Sequence, residues 1–384
     1  MLERACLHPL SSRVDRLSDR ALHVDLIQTS EGLIRMGSMP DVAKMMARFK
    51  RQEAMVILPQ WRVTQAGDNH TGEEFVQWHA QVYGAQRRKY IGQSNNLSVF
   101  YRNLAAIFPF YFDPSRLSII HKKWLNDWIE KAPVEKVFKL RDVEVRFQKG
   151  NILVYERGQK IYDLIASGYG AGAEDRVEAA LSTVKRDSVS RPDPEVVVVG
   201  SGNGFFETTS SLVVRFGRRV LWIDPCSQPA HSLAEVGIHW DDITEVLITH
   251  NHEDHISGFP ACLKRKMDRG KKLRIITTET IYEVLRKQFK PLLPQMEEAI
   301  LLLAVIPGKL LNLNGMHIIP RLNHHFLPYG TLGIKICTGN KTLGFSGDTK
   351  FDRRINKILN RPELEGHWFN DCDLLFHEVD FENP

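Results

Sequence analysis

One stretch constrains this chain more than any other: Thr244-Glu245-Val246-Leu247-Ile248-Thr249 runs without interruption into His250-Asn251-His252-Glu253-Asp254-His255. The first six residues read as a buried strand, an apolar run too short for a helix. The second six carry four side chains of metal-ligand type. Imidazoles two positions apart at a strand end project to the same side, so His250 and His252 can reach one ion. Asp254 and His255 then turn back from the start of a following helix toward a second ion. Ile256-Ser257-Gly258-Phe259-Pro260 closes the segment.

At 384 residues there is room for a second domain, and the seam is visible. Arg186-Asp187-Ser188-Val189-Ser190-Arg191-Pro192-Asp193-Pro194 is polar and proline-bearing, and it meets the β-branched run Val196-Val197-Val198-Val199. The chain is therefore divided into residues 1–190 and 193–384. No internal repeat or low-complexity tract is visible. With 43% hydrophobic and 25% charged residues, a disordered or fibrous chain is excluded. No apolar run approaches the roughly 18 residues a membrane span needs, and Met1-Leu2-Glu3-Arg4-Ala5-Cys6 lacks a signal-peptide pattern, so a cytoplasmic protein is expected. Five scattered cysteines without a Cys-x-x-Cys pair are expected as free thiols. A net charge of +5 permits a nucleic-acid partner without requiring one.

The first half reads as an α+β domain. Helical periodicity spans 41–51, 72–90, 115–131 and 173–186, and 137–147 with 151–163 alternate as a hairpin across Lys149-Gly150-Asn151. The aromatics Val99-Phe100-Tyr101 and Phe108-Pro109-Phe110-Tyr111-Phe112 fit a core or a base-stacking platform, and the lack of interleaved basic residues favours the core. Arg87-Arg88-Lys89 reads as a phosphate contact or a solvated helix face. In the second half, strand-like runs at 196–200, 211–216, 219–224, 245–249, 273–277, 301–306, 316–322, 331–337, 342–346 and 373–377 alternate with helices near 228–237, 257–268, 279–289 and 352–360.

The run from His250 to His255 resembles the His-x-His-x-Asp-His signature of the metallo-β-lactamase superfamily. Leu221-Trp222-Ile223-Asp224 resembles the early strand whose aspartate orients the metal loop. Asn323-His324-His325 resembles the third motif, and Ser346-Gly347-Asp348-Thr349 the motif whose aspartate bridges two metals. Gly200-Ser201-Gly202-Asn203-Gly204, Thr208-Thr209-Ser210-Ser211-Leu212 and Leu374-Leu375-Phe376-His377-Glu378 are similar to the branch of ribonuclease Z and cyclic-nucleotide phosphodiesterases. The resemblance covers residues from about 195 onward and no family is recognised in 1–190. It implies an αββα four-layer sandwich, α+β in class, preceded by a separate α+β N-terminal domain.

The same resemblance implies a hydrolase with two divalent ions held by His250, His252, Asp254, His255, His325 and Asp348. Either His324 or His325 supplies the third-motif ligand, and counting three back from Pro328 selects His325. Nitrogen and oxygen donors suit zinc, with manganese, iron or cobalt also fitting. An acidified metal water would act as nucleophile, with Asp254 handling its proton and His377, supported by Glu378, acting as general acid. The implied activity is phosphodiester hydrolysis of RNA or a nucleotide, cyclic ones included. A non-phosphate ester, thioester or lactone hydrolase and a degenerate binding or regulatory protein are the alternatives. A homodimer is compatible with either. The basic stretch within 262–300, with Lys264-Arg265-Lys266 and Arg269-Gly270-Lys271-Lys272, reads as a substrate arm or a solvated helix end, the latter favoured. Binuclear members carry one more ligand histidine after the His-Glu motif, expected from beyond Pro384 or from a second chain. Strand 373–377 is expected to be an inner strand of the second sheet.

Overall fold

A computed structural model of the chain describes residues 5–59, 63–67, 88–107, 129–184, 193–202, 208–323, 325, 330–349 and 367–377. The N-terminal half builds a sheet of seven described strands in sequence order: β1 (Cys6–Ser11), β2 (Val14–Asp19), β3 (Leu22–Thr29), β4 (Gly32–Met36), β5 (Met55–Leu58), β6 (Arg88–Gly92) and β7 (Ile129–Pro133). A second, antiparallel sheet follows, made of β8 (Val137–Leu140), β9 (Val143–Gln148), β10 (Asn151–Glu156) and β11 (Gln159–Asp163). Among the described residues of this half the helices are α1 (Val42–Arg48), α2 (Ser94–Ile107) and α3 (Ala173–Thr183).

The C-terminal half again forms two sheets. The first is β12 (Glu195–Gly200), β13 (Ser211–Phe216), β14 (Arg219–Ile223), β15 (Glu245–Leu247), β16 (Leu273–Thr277) and β17 (Ile300–Ala304). The second is β18 (Leu311–Leu313), β19 (Met316–Asn323), β20 (Thr331–Thr338), β21 (Lys341–Phe345) and β22 (Leu374–Phe376). Its helices include α4 (Pro229–Glu235), α5 (Glu253–Ile256), α6 (Phe259–Asp268) and α7 (Glu279–Phe289). Two packed sheets flanked by helices are the αββα arrangement the sequence implied. The helix expected at 352–360 lies outside the described residues. Among the described residues β22 is an edge strand paired only with β21, not the inner strand expected.

Several N-terminal expectations are corrected. Residues 88–92 and 129–133, read as the ends of helices 72–90 and 115–131, are parallel strands β6 and β7, and the remainder of those two ranges lies outside the described residues. Runs 137–147 and 151–163 each break at a turn, so a four-stranded meander replaces the single hairpin. Arg88 is not on a solvated face: it is buried, its Nε donating to the Glu53 carbonyl at 3.3 Å. Phe100 is fully buried beside Tyr90, as a core reading requires, while Phe108 to Phe112 lie outside the described residues.

The absence of an internal repeat also needs correction, because both halves follow one plan. From β2 to β7 and from β12 to β17 the pairings run antiparallel, antiparallel, then parallel three times. The register repeats: Ile34, Arg35 and Met36 face Met55, Val56 and Ile57, as Leu221, Trp222 and Ile223 face Glu245, Val246 and Leu247. Loop hydrogen bonds repeat with it. Gly37 N–H donates to Ile57 O at 2.9 Å and Asp224 N–H to Leu247 O at 2.8 Å; Val134 N–H reaches Gly92 O and Val305 N–H reaches Thr277 O, each at 2.9 Å. Helices α1 and α4 are both seven residues long, and each starts from a left-handed residue, Asp41 (φ 58°) and Gln228 (φ 52°).

Packing follows from strand alternation. In β3, Ile27 points toward the meander, joining Val145 and Ile152 in one apolar cluster. Its neighbour Leu26 points the other way and joins Leu17, Val24 and Met45 in a larger cluster that also holds Val213, Leu233 and Phe259 of the C-terminal half. The halves thus share buried apolar surface, and α2 packs on α7 while α3 packs on α4.

Candidate metal centre

The site sits where β14 and β15 end side by side. Parallel pairing brings Ile223 opposite Leu247, so the residues that follow each strand, Asp224 and Ile248-Thr249-His250, leave the sheet together. Asp224 is fully buried with φ 47°, a left-handed conformation that Asp tolerates better than most residues. That turn aims its carboxylate at the metal loop. Oδ1 accepts from Thr249 N–H at 2.8 Å, and Oδ2 accepts from Thr249 Oγ1 at 2.6 Å. Oδ2 is also 2.8 Å from His255 Nδ1. Gly258 completes the loop by close approach: a Cβ there would lie 2.1 Å from the Cys226 carbonyl oxygen, so no side chain fits.

Three imidazoles and one carboxylate converge. Ligand atoms of His250, His252, His325 and Asp348 all lie within 4.8 Å of one another. His325 Nε2 is 3.1 Å from His252 Nδ1, and Asp348 Oδ2 is 3.5 Å from His250 Nε2 and 3.7 Å from His325 Nε2. A second group adjoins it: Asp348 Oδ1 is 3.0 Å from His255 Nε2, which is 4.0 Å from Asp254 Oδ1. Asp348 therefore faces both groups. The six residues singled out in the sequence as metal-type ligands are brought together. His324 and Glu378 lie outside the described residues.

A cleft of about 120 Å³ opens beside Asp348 and His255 and is also lined by Gly200, Ser201, Phe376 and His377. His377 thus borders the same space as the donors. Gly200 approaches its neighbour too closely for a side chain, since a Cβ would stand 2.2 Å from the Thr209 carbonyl oxygen. Asn323, quoted with the third motif but given no role, clamps the loop after β21 by donating its side-chain amide to the Ser346 carbonyl. Lys44, a helix lysine that periodicity alone assigns to solvent, reaches the site from the N-terminal half with Nζ 3.1 Å from Asp254 Oδ2.

Electrostatics follow from this crowding. Burial, with His250 and His325 alongside, holds His252 well below the usual imidazole range, and burial with His250 brings His325 down to about 4. Burial also opposes charge on His255, but Asp348, Asp254 and Asp224 outweigh it and raise that imidazole well above its ordinary value. Burial works against ionised Asp254 and Asp348 as well. Lys44 and His255 nevertheless lower Asp254, and His255 and His250 lower Asp348.

Residues 194–381 match the family model described as Anti-Pycsar protein Apyc1. Over 234 residues, 57% of this chain, the sequence is 23% identical to the cGMP-dependent 3',5'-cGMP phosphodiesterase A of Dictyostelium discoideum. Over 101 residues, 25% of this chain, it is 28% identical to ribonuclease Z of Pyrobaculum aerophilum. The C-terminal half is a metallo-β-lactamase superfamily domain. Its sequence resembles the branch of ribonuclease Z and cyclic-nucleotide phosphodiesterases. The matched stretches span 26% and 35% of those two relatives' own lengths. Among solved structures, the metallo-β-lactamase fold protein YhfI of Bacillus subtilis aligns over 50% of this chain and 73% of its own, with 20% identity and a TM-score of 0.38. Human tRNase Z, short form, aligns over 47% and 91%, with 12% identity and a TM-score of 0.35.

The donors of the metallo-β-lactamase domain fit a divalent ion. His250 Nε2 is buried and makes no hydrogen bond of ordinary geometry among the described residues, a costly arrangement unless a ligand satisfies it. Neutral imidazoles with carboxylates are also the donor set that zinc and its first-row neighbours take. The basic stretch after α5 is divided: Arg265 is buried, pairing with Asp241 at 2.7 Å and lying over Trp240, while Arg269, Lys271 and Lys272 are exposed just past the end of α6, as a solvated helix end requires. Among the described residues no helix is long and apolar enough to cross a membrane.

Proposed function

We propose that this chain is a metal-dependent phosphodiesterase acting on RNA or on a nucleotide, cyclic nucleotides included, with residues 193–384 as its catalytic unit. The observation that carries the reading is the cleft itself, whose lining brings His377 together with Asp348 and His255. The curated relatives, by their names a cGMP phosphodiesterase and a ribonuclease, support phosphodiesters over other esters.

Two divalent ions, zinc best suited and manganese or iron compatible, would supply Lewis acidity and a water acidic enough to ionise near neutral pH. His250, His252 and His325 would hold one, Asp254 and His255 the other, and Asp348 both. The residues of the chain do the rest. Asp254 accepts and orients the proton of the attacking water. His377 protonates the departing oxygen as general acid, with Glu378, next in sequence, as its support. The buried Asp224 fixes His255 through Nδ1, leaving Nε2 as the donor.

Elemental analysis of the full chain followed by turnover of bis-p-nitrophenyl phosphate tests the reading. Hydrolysis lost on chelation and restored by zinc or manganese is expected, and 3',5'-cyclic nucleotides compared with precursor tRNA then select the substrate class. A metal-loaded chain that cleaves no phosphodiester refutes the proposal, and turnover of a thioester or lactone instead selects the alternative hydrolase.

A further inference from the structure

The repeated plan of the two halves raises a question that the catalytic reading leaves open: what the N-terminal copy does. Its equivalent positions carry no comparable ligand set. The shared register equates Ile57 with Leu247. Counting on from there, Gln60, Arg62, Thr64 and Gln65 stand in sequence where His250, His252, Asp254 and His255 stand in the other copy, and Gly37 replaces Asp224. A copy without its donors cannot build the same centre.

It nevertheless reaches the centre of its sibling. Lys44 is the third residue of α1, as His231 is the third residue of α4. Each of these helices is presented to the opposite half. Gln228, at the start of α4, accepts a hydrogen bond from Ala21 N–H at 2.7 Å, and Arg20 pairs with Glu235 at its end. Reciprocally, α1 lays Lys44 against Asp254 at 3.1 Å. Lys44 is only 3% exposed and Asp254 20%, so the ammonium is engaged with the carboxylate, not displayed to the cleft.

The geometry of Asp254 shows what that contact does. Its two oxygens are divided: Oδ2 goes to Lys44, while Oδ1 faces His255 Nε2 at 4.0 Å, itself 3.0 Å from Asp348 Oδ1. Donors each about 2.0–2.2 Å from a shared ion stand about 3–4 Å apart. His255 Nε2 stands within that spacing of both Asp254 Oδ1 and Asp348 Oδ1, while the other Asp254 oxygen is paired with Lys44. Hydrogen-bonded partners of ligating groups orient them and are worth about 10–100-fold in metal affinity.

We propose that the N-terminal half is a metal-free repeat that serves the metal centre by delivering Lys44 as the positioning residue of Asp254. The inference rests on the two-ion phosphodiesterase reading and adds a source of control to it. The second ion depends on a residue from outside the domain that carries all the donors, so the two halves form one functional unit.

Zinc titration of the metal-stripped full chain against a competing chelator provides the test, with Lys44→Met, Lys44→Gln and Lys44→Arg beside the unaltered protein and circular dichroism confirming their fold. Two classes of zinc site are expected in the unaltered chain. Lys44→Met and Lys44→Gln should weaken one class 10–100-fold and leave the other unchanged, and Lys44→Arg should restore most of the loss. In turnover, kcat should fall with little change in KM. Wild-type affinity in both classes for Lys44→Gln, or tighter binding in either, overturns the proposal while leaving the phosphodiesterase reading intact. If Lys44→Met does not fold, the Gln and Arg pair decides alone. An unaltered chain that binds no zinc overturns both readings.

Discussion

Replacing Asp224 by Asn isolates the carboxylate that ties the metal loop to the sheet. The substitution keeps the volume and the tolerance for φ 47°, so backbone strain is not introduced. What changes is the set of acceptors. Oδ1 takes the Thr249 N–H, and Oδ2 takes the Thr249 hydroxyl and lies against His255 Nδ1. With the amide oxygen on Thr249 N–H, the new NH2 meets His255 Nδ1, which can accept only by moving its proton to Nε2. That tautomer removes the lone pair a metal needs. With the amide flipped, two N–H groups face each other near 2.8 Å and one buried donor is left unsatisfied. Either outcome costs about 1–3 kcal/mol of stability. The loss of an outer-shell carboxylate should weaken metal binding about 10–100-fold at the His255 position. Urea denaturation of the metal-free protein reads the first quantity and chelator competition with zinc the second. An Asn variant within about 0.5 kcal/mol of the original, the range of inconsequential surface changes, and with unaltered zinc affinity refutes the reasoning.

His252→Ala should abolish phosphodiester hydrolysis while thermal unfolding remains cooperative, because it removes a donor and no core contact; near-normal turnover contradicts the assigned ligand set. His377→Gln should lower kcat by about 10²–10⁴-fold with zinc content unchanged, and more for alkoxide than for p-nitrophenolate leaving groups, as measured by steady-state kinetics. Burial, with Arg16 nearby, lowers His23 to about 4, and its Nε2 accepts from Gly170 N–H at 3.3 Å. The unfolded chain binds that proton near pH 6.5 and the folded one does not, so stability should fall as pH drops from about 6.5 to 4, by up to about 3 kcal/mol. His23→Gln should flatten that slope in denaturation curves taken across the window.

How much of this was legible in the sequence depends on where the chemistry is local. His250, His252, Asp254 and His255 are readable because a single strand end carries them all, and His325 was selected by spacing to Pro328. Asp224 was visible only through the resemblance of Leu221-Trp222-Ile223-Asp224 to the early strand of the superfamily. Lys44 was not, because a lysine on a short helix has the same signature whether it meets water or a carboxylate from the other half of the chain. The strands β6 and β7 were misread for a related reason. Arg88 sits buried in β6 beside Glu53, with Arg35 from β4 on the same carboxylate, and charged residues satisfied inside a core blur the alternation on which a strand is recognised.

The repeat was hidden for a deeper reason, which also explains why it persists. Strand order, register and loop hydrogen bonds are backbone properties and survive almost any change of side chain compatible with burial. Arg35 can thus occupy the place of Trp222, its Nε donating to Glu53 and its Nη1 to the Gly37 carbonyl where the indole donates to Ser211. Without metal donors in the N-terminal copy, nothing in its core requires the two sequences to be alike. What joins the copies is the surface turned toward the other half: Leu17, Val24, Leu26 and Met45 pack into a cluster shared with Val213, Leu233 and Phe259. Removing that surface would expose a large apolar patch on the metallo-β-lactamase domain. The metal-free half is therefore held in place by packing, and Lys44 lies on the helix that this packing presses against the metal loop.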